Sequence, residues 1–153
     1  MEYGSIEREV HVDASPEIVF EVITTPDHLK EWWPDDAAFE PVPGATGQLV
    51  FGDRDDPAAH VPVLTVVEVV APRRFSFWWS DDAEVAAEGN ALLVTFDLEP
   101  AGAGTLVRMT ESGFRERGWE AAVLEAAYND HVNGWAHYMP RLPAYVDRLV
   151  ASR

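Results

Sequence analysis

The 153-residue chain contains no cysteine, which excludes disulfides, thiolate-ligated metals and a cysteine nucleophile. Lysine is nearly absent as well: Lys30 is the single one, and 11 basic residues stand against 27 acidic ones, for a formal charge of −16. A surface of that sign repels phosphate backbones and anionic lipid, so neither nucleic acid nor membrane is an expected partner. Long apolar runs are missing too. The longest, near 61–71 and 121–128, fall well short of the roughly 20 residues a helix needs to cross a bilayer. The N-terminal MEYGSIEREV is charged and strand-like, unlike a secretory signal, so the cytoplasm is the expected location. Scarce lysine beside abundant Ala, Val, Arg and Pro is the composition expected of a GC-rich bacterial genome.

What is present suits one globular domain spanning 1–153, with 47% apolar residues, 11% aromatics and six tryptophans. Ser5–Asp13 alternates, with Ile6, Arg8, Val10 and Val12 on one face and Glu7, Glu9 and His11 on the other, the pattern of a half-buried strand. Ser15-Pro16-Glu17 then reads as a helix start with Ser15 as N-cap and Pro16 in the first turn, and Ile18, Val19, Val22 and Ile23 form its apolar side. Thr25-Pro26-Asp27 repeats that signal for a second short helix, which reaches Trp32-Trp33 before Pro34 stops it.

Residues 34–47 are rich in Pro, Gly and Asp, with room for one short strand near Phe39. Strands are expected at Gln48–Gly52, His60–Val70 and Arg74–Ser80, the last carrying Phe75, Phe77 and Trp79 on one face. Residues 53–58 read as an acidic turn and 81–90 as a polar loop. Ala91–Leu98 and Thr105–Ser112 form a hairpin around a Gly-containing turn. Short links between consecutive strands imply an antiparallel sheet and the α+β class.

A long terminal helix follows. Val123, Ala127, His131, Trp135, Tyr138, Leu142, Tyr145 and Leu149 recur at steps of three and four, which puts them on one face. Pro140 and Pro143 interrupt it. Each lacks the N–H that would bond the carbonyl four residues back, at about 3 kcal/mol in a helix interior, so a kink or break is expected between Ala136 and Pro143.

This order of elements resembles the SRPBCC superfamily of START-like, birch-allergen-like helix-grip proteins. Within it, the chain is similar to the family named for activators of heat-shock protein 90 ATPase. The matching stretches are IEREVHVDASPEIVFEVITTPDHLKEWWP at 6–34, VVEVVAPRRFSFWW at 66–79, GTLVRMTESGF at 104–114 and HVNGW with the Leu and Tyr that follow, at 131–145. The resemblance implies a curved antiparallel sheet of six to seven strands, two small helices after the first strand, and a long C-terminal helix across the concave face. It also implies a cavity between sheet and helix.

Alternation turns Phe77, Trp79, Phe96 and Met109 toward that cavity, with Trp135 and Tyr138 descending from the helix. One ring of Trp32-Trp33 is expected to pack inward and the other, with Trp33 a candidate ligand contact, to cap the entrance. Arg8 and Glu111 share faces that are otherwise apolar, where a charge is costly unless paired or wetted. Three readings fit them: groups that orient a ligand's polar end, a structural ion pair, or a strand end frayed into solvent. His131, one turn before Trp135, is a candidate acid or base, although a satisfied histidine at a helix–sheet contact is the commoner case.

Metals and cofactors are not expected. His131 and His137 lie about 240° apart around a helix and cannot share an ion. Asp53-Arg54-Asp55-Asp56 lacks the glycine and glutamate of a calcium loop, and no glycine pattern matches a phosphate-binding motif. Three functions remain open: a binding protein for an apolar or aromatic small molecule, acting as monomer or homodimer; a polyketide cyclase- or aromatase-like enzyme, a class found among relatives in the superfamily it resembles, with His131 as acid or base and Glu111 or Arg8 polarising a carbonyl; and a chaperone-associated module, implied by the family resemblance.

Overall fold

The computed structural model describes residues 3–53 and 55–152; Arg54, in the expected acidic turn, lies outside the described residues. The order is β1 (Ser5–Val12), α1 (Pro16–Thr24), α2 (Pro26–Leu29), β2 (Asp36–Ala38), β3 (Thr46–Val50), β4 (Val63–Val70), β5 (Arg74–Ser80), β6 (Leu92–Ala101), β7 (Gly104–Ser112), a 3-10 turn (Arg115–Arg117), α3 (Ala121–Tyr138) and α4 (Arg141–Ala151). All seven strands join one antiparallel sheet in the order β1-β7-β6-β5-β4-β3-β2, so the first strand closes against the last. This is the expected α+β helix-grip architecture.

Local chemistry accounts for the start of the chain. Ser15 caps α1, its Oγ accepting the Ile18 N–H at 3.3 Å, and Val19, Val22 and Ile23 are buried against the sheet. The apolar strand faces continue that layer: Val94, Phe96, Leu98, Val107 and Met109 are each at most 5% exposed. The opposite sheet face is polar. Glu9 pairs with Arg108 at 2.7 Å, Arg108 stands opposite Asp97, and Asp97 accepts from Arg74 at 2.7 Å. One face dry and one wet is the usual economy of an antiparallel sheet.

The terminal helix breaks where the prolines require it. Met139 N–H donates to Trp135 O at 2.9 Å, α3 ends at Tyr138, and Pro140 stands at the junction. Pro143 lies in the first turn of α4, where backbone N–H groups have no intrahelical acceptor and proline costs little.

Two expectations are corrected here. The strand expected from His60 begins at Val63; His60 forms only an isolated bridge to Phe51, because Pro62 cannot donate to a ladder. The buried face of the terminal helix is turned by about one residue from the expected stripe: Val123 is 49% exposed, Leu124 and Tyr128 pack against the core instead, and Met139 and Val146 are buried where Tyr138 and Tyr145 are half-buried.

Candidate functional site

The interior beneath α3 is filled by the chain's own rings. Trp33 lies with its ring centre 4.9 Å from Trp135, 5.3 Å from Trp79, 6.0 Å from Phe77 and 6.4 Å from Phe96. Trp32 and Trp33 are both buried, so neither caps an entrance. Trp33 occupies the place where the cavity was expected to hold a guest. Phe77, Phe96 and Met109 are core, and Tyr138 is half-buried, its ring against Phe51 at 6.1 Å.

Arg8 does not join the other polar candidates. It shares the inward face of β1, opposite Met109, but its guanidinium donates to the Glu7 carbonyl at 2.7 Å. A long side chain of this kind lays its stem on apolar surface and carries its charge out.

Glu111, His131, Trp79 and Trp135 do come together. The Glu111 carboxylate is 0% exposed, yet three donors satisfy it. Trp79 Nε1 donates to Oε2 at 2.7 Å, Trp135 Nε1 to Oε1 at 2.8 Å, and His131 Nδ1 lies 2.9 and 3.0 Å from the two oxygens. An ionised carboxylate only accepts, so the His131 proton on this side is on Nδ1. Burial lowers the pKa of the imidazole, and the hydrogen bond and negative charge of Glu111 outweigh it, so the ring titrates above its ordinary value. Phe114 closes one side, its ring 5.5 Å from His131.

With Nδ1 committed, Nε2 of His131 has no hydrogen-bond partner among the described residues. The side chain retains 18% exposure and lines a cleft of about 210 Å³ at this end of the sheet–helix contact. Trp79, Leu92 and Trp119 supply its apolar walls. Two ion pairs rim it. His60 Nε2 lies 2.8 Å from Asp81, whose hydrogen bond raises the His60 pKa despite partial burial. Arg117 grips Asp82 at 2.8 and 2.9 Å, with its guanidinium over the Trp119 ring at 4.6 Å. Asp130 on α3 completes the lining.

Of the residues expected at a site, only Trp79 and His131 line this cleft. His60, Asp81, Asp82, Leu92, Arg117 and Trp119 escaped sequence reasoning because they sit in loops or at element ends, where no periodicity marks a direction, and Asp130, inside α3, because it lies off the apolar stripe. Among the described residues no group of three His, Asp or Glu side chains is arranged to hold a metal ion, and no helix is long and apolar enough to cross a membrane.

Residues 13–147 match the family described as Activator of Hsp90 ATPase homolog 1-like protein. The chain belongs to that family. No curated protein sequence matches it. Among solved structures it is similar to protein MLL2253 from Mesorhizobium loti, at 23% identity and TM-score 0.76, over 94% of this chain and 97% of the other. It is also similar to the Aha1 dimer from Colwellia psychrerythraea, at 24% identity and TM-score 0.68, over 91% and 92% of the two chains. DynU16, from the dynemicin biosynthetic locus, aligns at 22% identity and TM-score 0.72 over 94% of this chain and 47% of its own. At these identities the likeness is one of fold.

Proposed function

We propose that this member of the family binds a small aromatic molecule in the cleft at the His131 end of the sheet–helix contact, with the imidazole orienting the guest. The observation that carries the reading is the buried Glu111 carboxylate, which three N–H donors hold so that His131 presents its second nitrogen to a lined cleft. Structural burial alone needs no imidazole with a free edge there. Apolar walls with a few placed polar groups are the usual make-up of a ligand site. The volume admits one ring with a short substituent, or the end of a longer molecule.

The test is titration with single-ring aromatic compounds, read by amide chemical shifts and melting temperature. Shifts confined to Trp79, Leu92, Trp119 and His131, and weakened in His131→Ala, are expected. Absence of any shift at those residues across the panel overturns the reading.

A second reading rests on the same dyad. A carboxylate-held imidazole with an open Nε2 is equipped to take or give a proton. Glu111 is then a positioning residue and not a group that polarises a carbonyl, since its oxygens are already engaged and it does not line the cleft. Isotope exchange at an acidic C–H of a bound ketone, lost in His131→Ala, would mark this activity.

Chaperone-ATPase stimulation and pairing of two copies, suggested by the family's name and by the Colwellia dimer, are separate proposals. An ATPase assay with the bacterial chaperone and a sedimentation measurement test them.

A further inference from the structure

The charges around the cleft are unequally committed. Each basic side chain that lines it already has a carboxylate partner: His60 has Asp81, Arg117 has Asp82 through two contacts, and His131 has Glu111. Of the lining acids, Asp81 and Asp82 are consumed in those pairs, and Asp82 also accepts from Ser80 Oγ at 2.9 Å. Asp130 is different. It is exposed on the cleft side of α3, one residue before His131, and has no hydrogen bond or ion pair among the described residues.

An anionic guest would find no free cation and would face an unpaired carboxylate on a chain of charge −16. A guest with a positive end would find that carboxylate, the lone pair of His131 Nε2 as hydrogen-bond acceptor, and the indole of Trp79 as an apolar wall. From this arrangement we infer that the cleft selects an aromatic amine in its protonated form, ring against Trp79 and ammonium toward Asp130 and His131. The inference rests on the cleft reading above and narrows its ligand class.

It carries a pH signature of definite sign. His131 is faced by Glu111 from β7, Asp81 from the β5–β6 loop, His60 from the segment before β4, Arg117 from the 3-10 turn, and Asp130 on its own helix. Below its pKa the ring is a cation with no lone pair on Nε2; above it the ring is neutral and accepts. His60, also raised, loses its charge in the same direction. Amine affinity therefore climbs as pH rises from 6 to 8.

The experiment compares three matched probes by calorimetry: 2-phenylethylamine, 2-phenylethanol and phenylacetate. One unit charge at about 4 Å in water is worth about fivefold in affinity, so the amine should exceed the alcohol by that factor and phenylacetate should bind most weakly. In Asp130→Asn, which removes this exposed charge together with its pull on His131 and His60, amine and alcohol should reach parity. Alcohol binding equal to amine binding, or phenylacetate binding tightest, overturns the charge assignment while leaving the cleft reading intact. Failure of all three probes to bind overturns both.

Discussion

His131 Nδ1 lies 2.9 Å from one oxygen of Glu111 and 3.0 Å from the other, so a single helix side chain is centred on a carboxylate the sheet has buried completely. The same carboxylate binds Trp79 from β5 and Trp135 from α3. Three elements thus meet at one charge. The sequence left three readings for Glu111, a ligand-orienting group, part of a structural pair or a strand end frayed into solvent; complete burial removes the last, and the pairing with three donors is what aims His131.

Replacing Glu111 by Gln keeps the volume and removes the charge. The amide offers one acceptor oxygen where two are used, and its NH2 points donors at donors. At least one buried N–H loses its partner, which costs about 1–3 kcal/mol, with more when the lost acceptor was charged. Urea denaturation of Glu111→Gln should therefore show a loss of about 2–3 kcal/mol. A loss under ~0.5 kcal/mol would mean that the node contributes little to holding α3 down.

The same variant inverts the titration of His131. In the native protein, Glu111 outweighs burial and holds the ring pKa above its ordinary value. With the charge gone, burial prevails and the ring should titrate lower than in the wild type, as followed by imidazole NMR shifts. Linkage fixes the stability profile. Folding favours the protonated ring, so this contribution is complete below the unfolded value near ~6.5 and fades as pH rises through the higher folded value. The stability gap between wild type and His131→Asn should accordingly narrow from pH 6 to pH 8. A gap that widens over that range would contradict the assignment.

Much of this molecule was legible in its sequence because the signals were periodic. Alternation placed Phe77, Trp79, Phe96, Met109 and Glu111 on the concave face, and the helical repeat placed His131 and Trp135 above them. Other features depend on distances between segments far apart in the chain. Nothing in the Trp32-Trp33 dipeptide indicates that Trp33 reaches both Trp79 and Trp135. Arg8 has the parity of an inward residue, yet a flexible stem lets its guanidinium leave for the Glu7 carbonyl. The rim pairs His60–Asp81 and Arg117–Asp82 join loops, whose geometry the rest of the fold sets.

The two prolines of the terminal helix should behave differently from each other. Pro143 sits in the first turn of α4, so Pro143→Ala restores no intrahelical bond and only loosens the unfolded chain. A loss of about 0.4–1 kcal/mol is expected, small but destabilising. Gain of stability by chemical denaturation would instead place Pro143 in a strained helix interior.

Trp33 is the ring that fills the grip. Trp33 touches Phe51, Phe77, Trp79, Phe96 and Trp135, and is 4% exposed, so truncation removes a large side chain from a closely packed site. Trp33→Ala should lose about 3–5 kcal/mol, the usual cost of deleting a buried indole. The void it leaves is walled by aromatic carbon, and an apolar cavity of this kind stays dry and accepts an apolar guest. Added indole should then restore part of the lost melting temperature in Trp33→Ala, rising with its concentration as mass action requires, and leave the wild type unchanged at this site. Equal stabilisation of both proteins would show that indole acts elsewhere. Rescue confined to the variant would show that the grip is filled by the Trp33 ring and not closed by backbone.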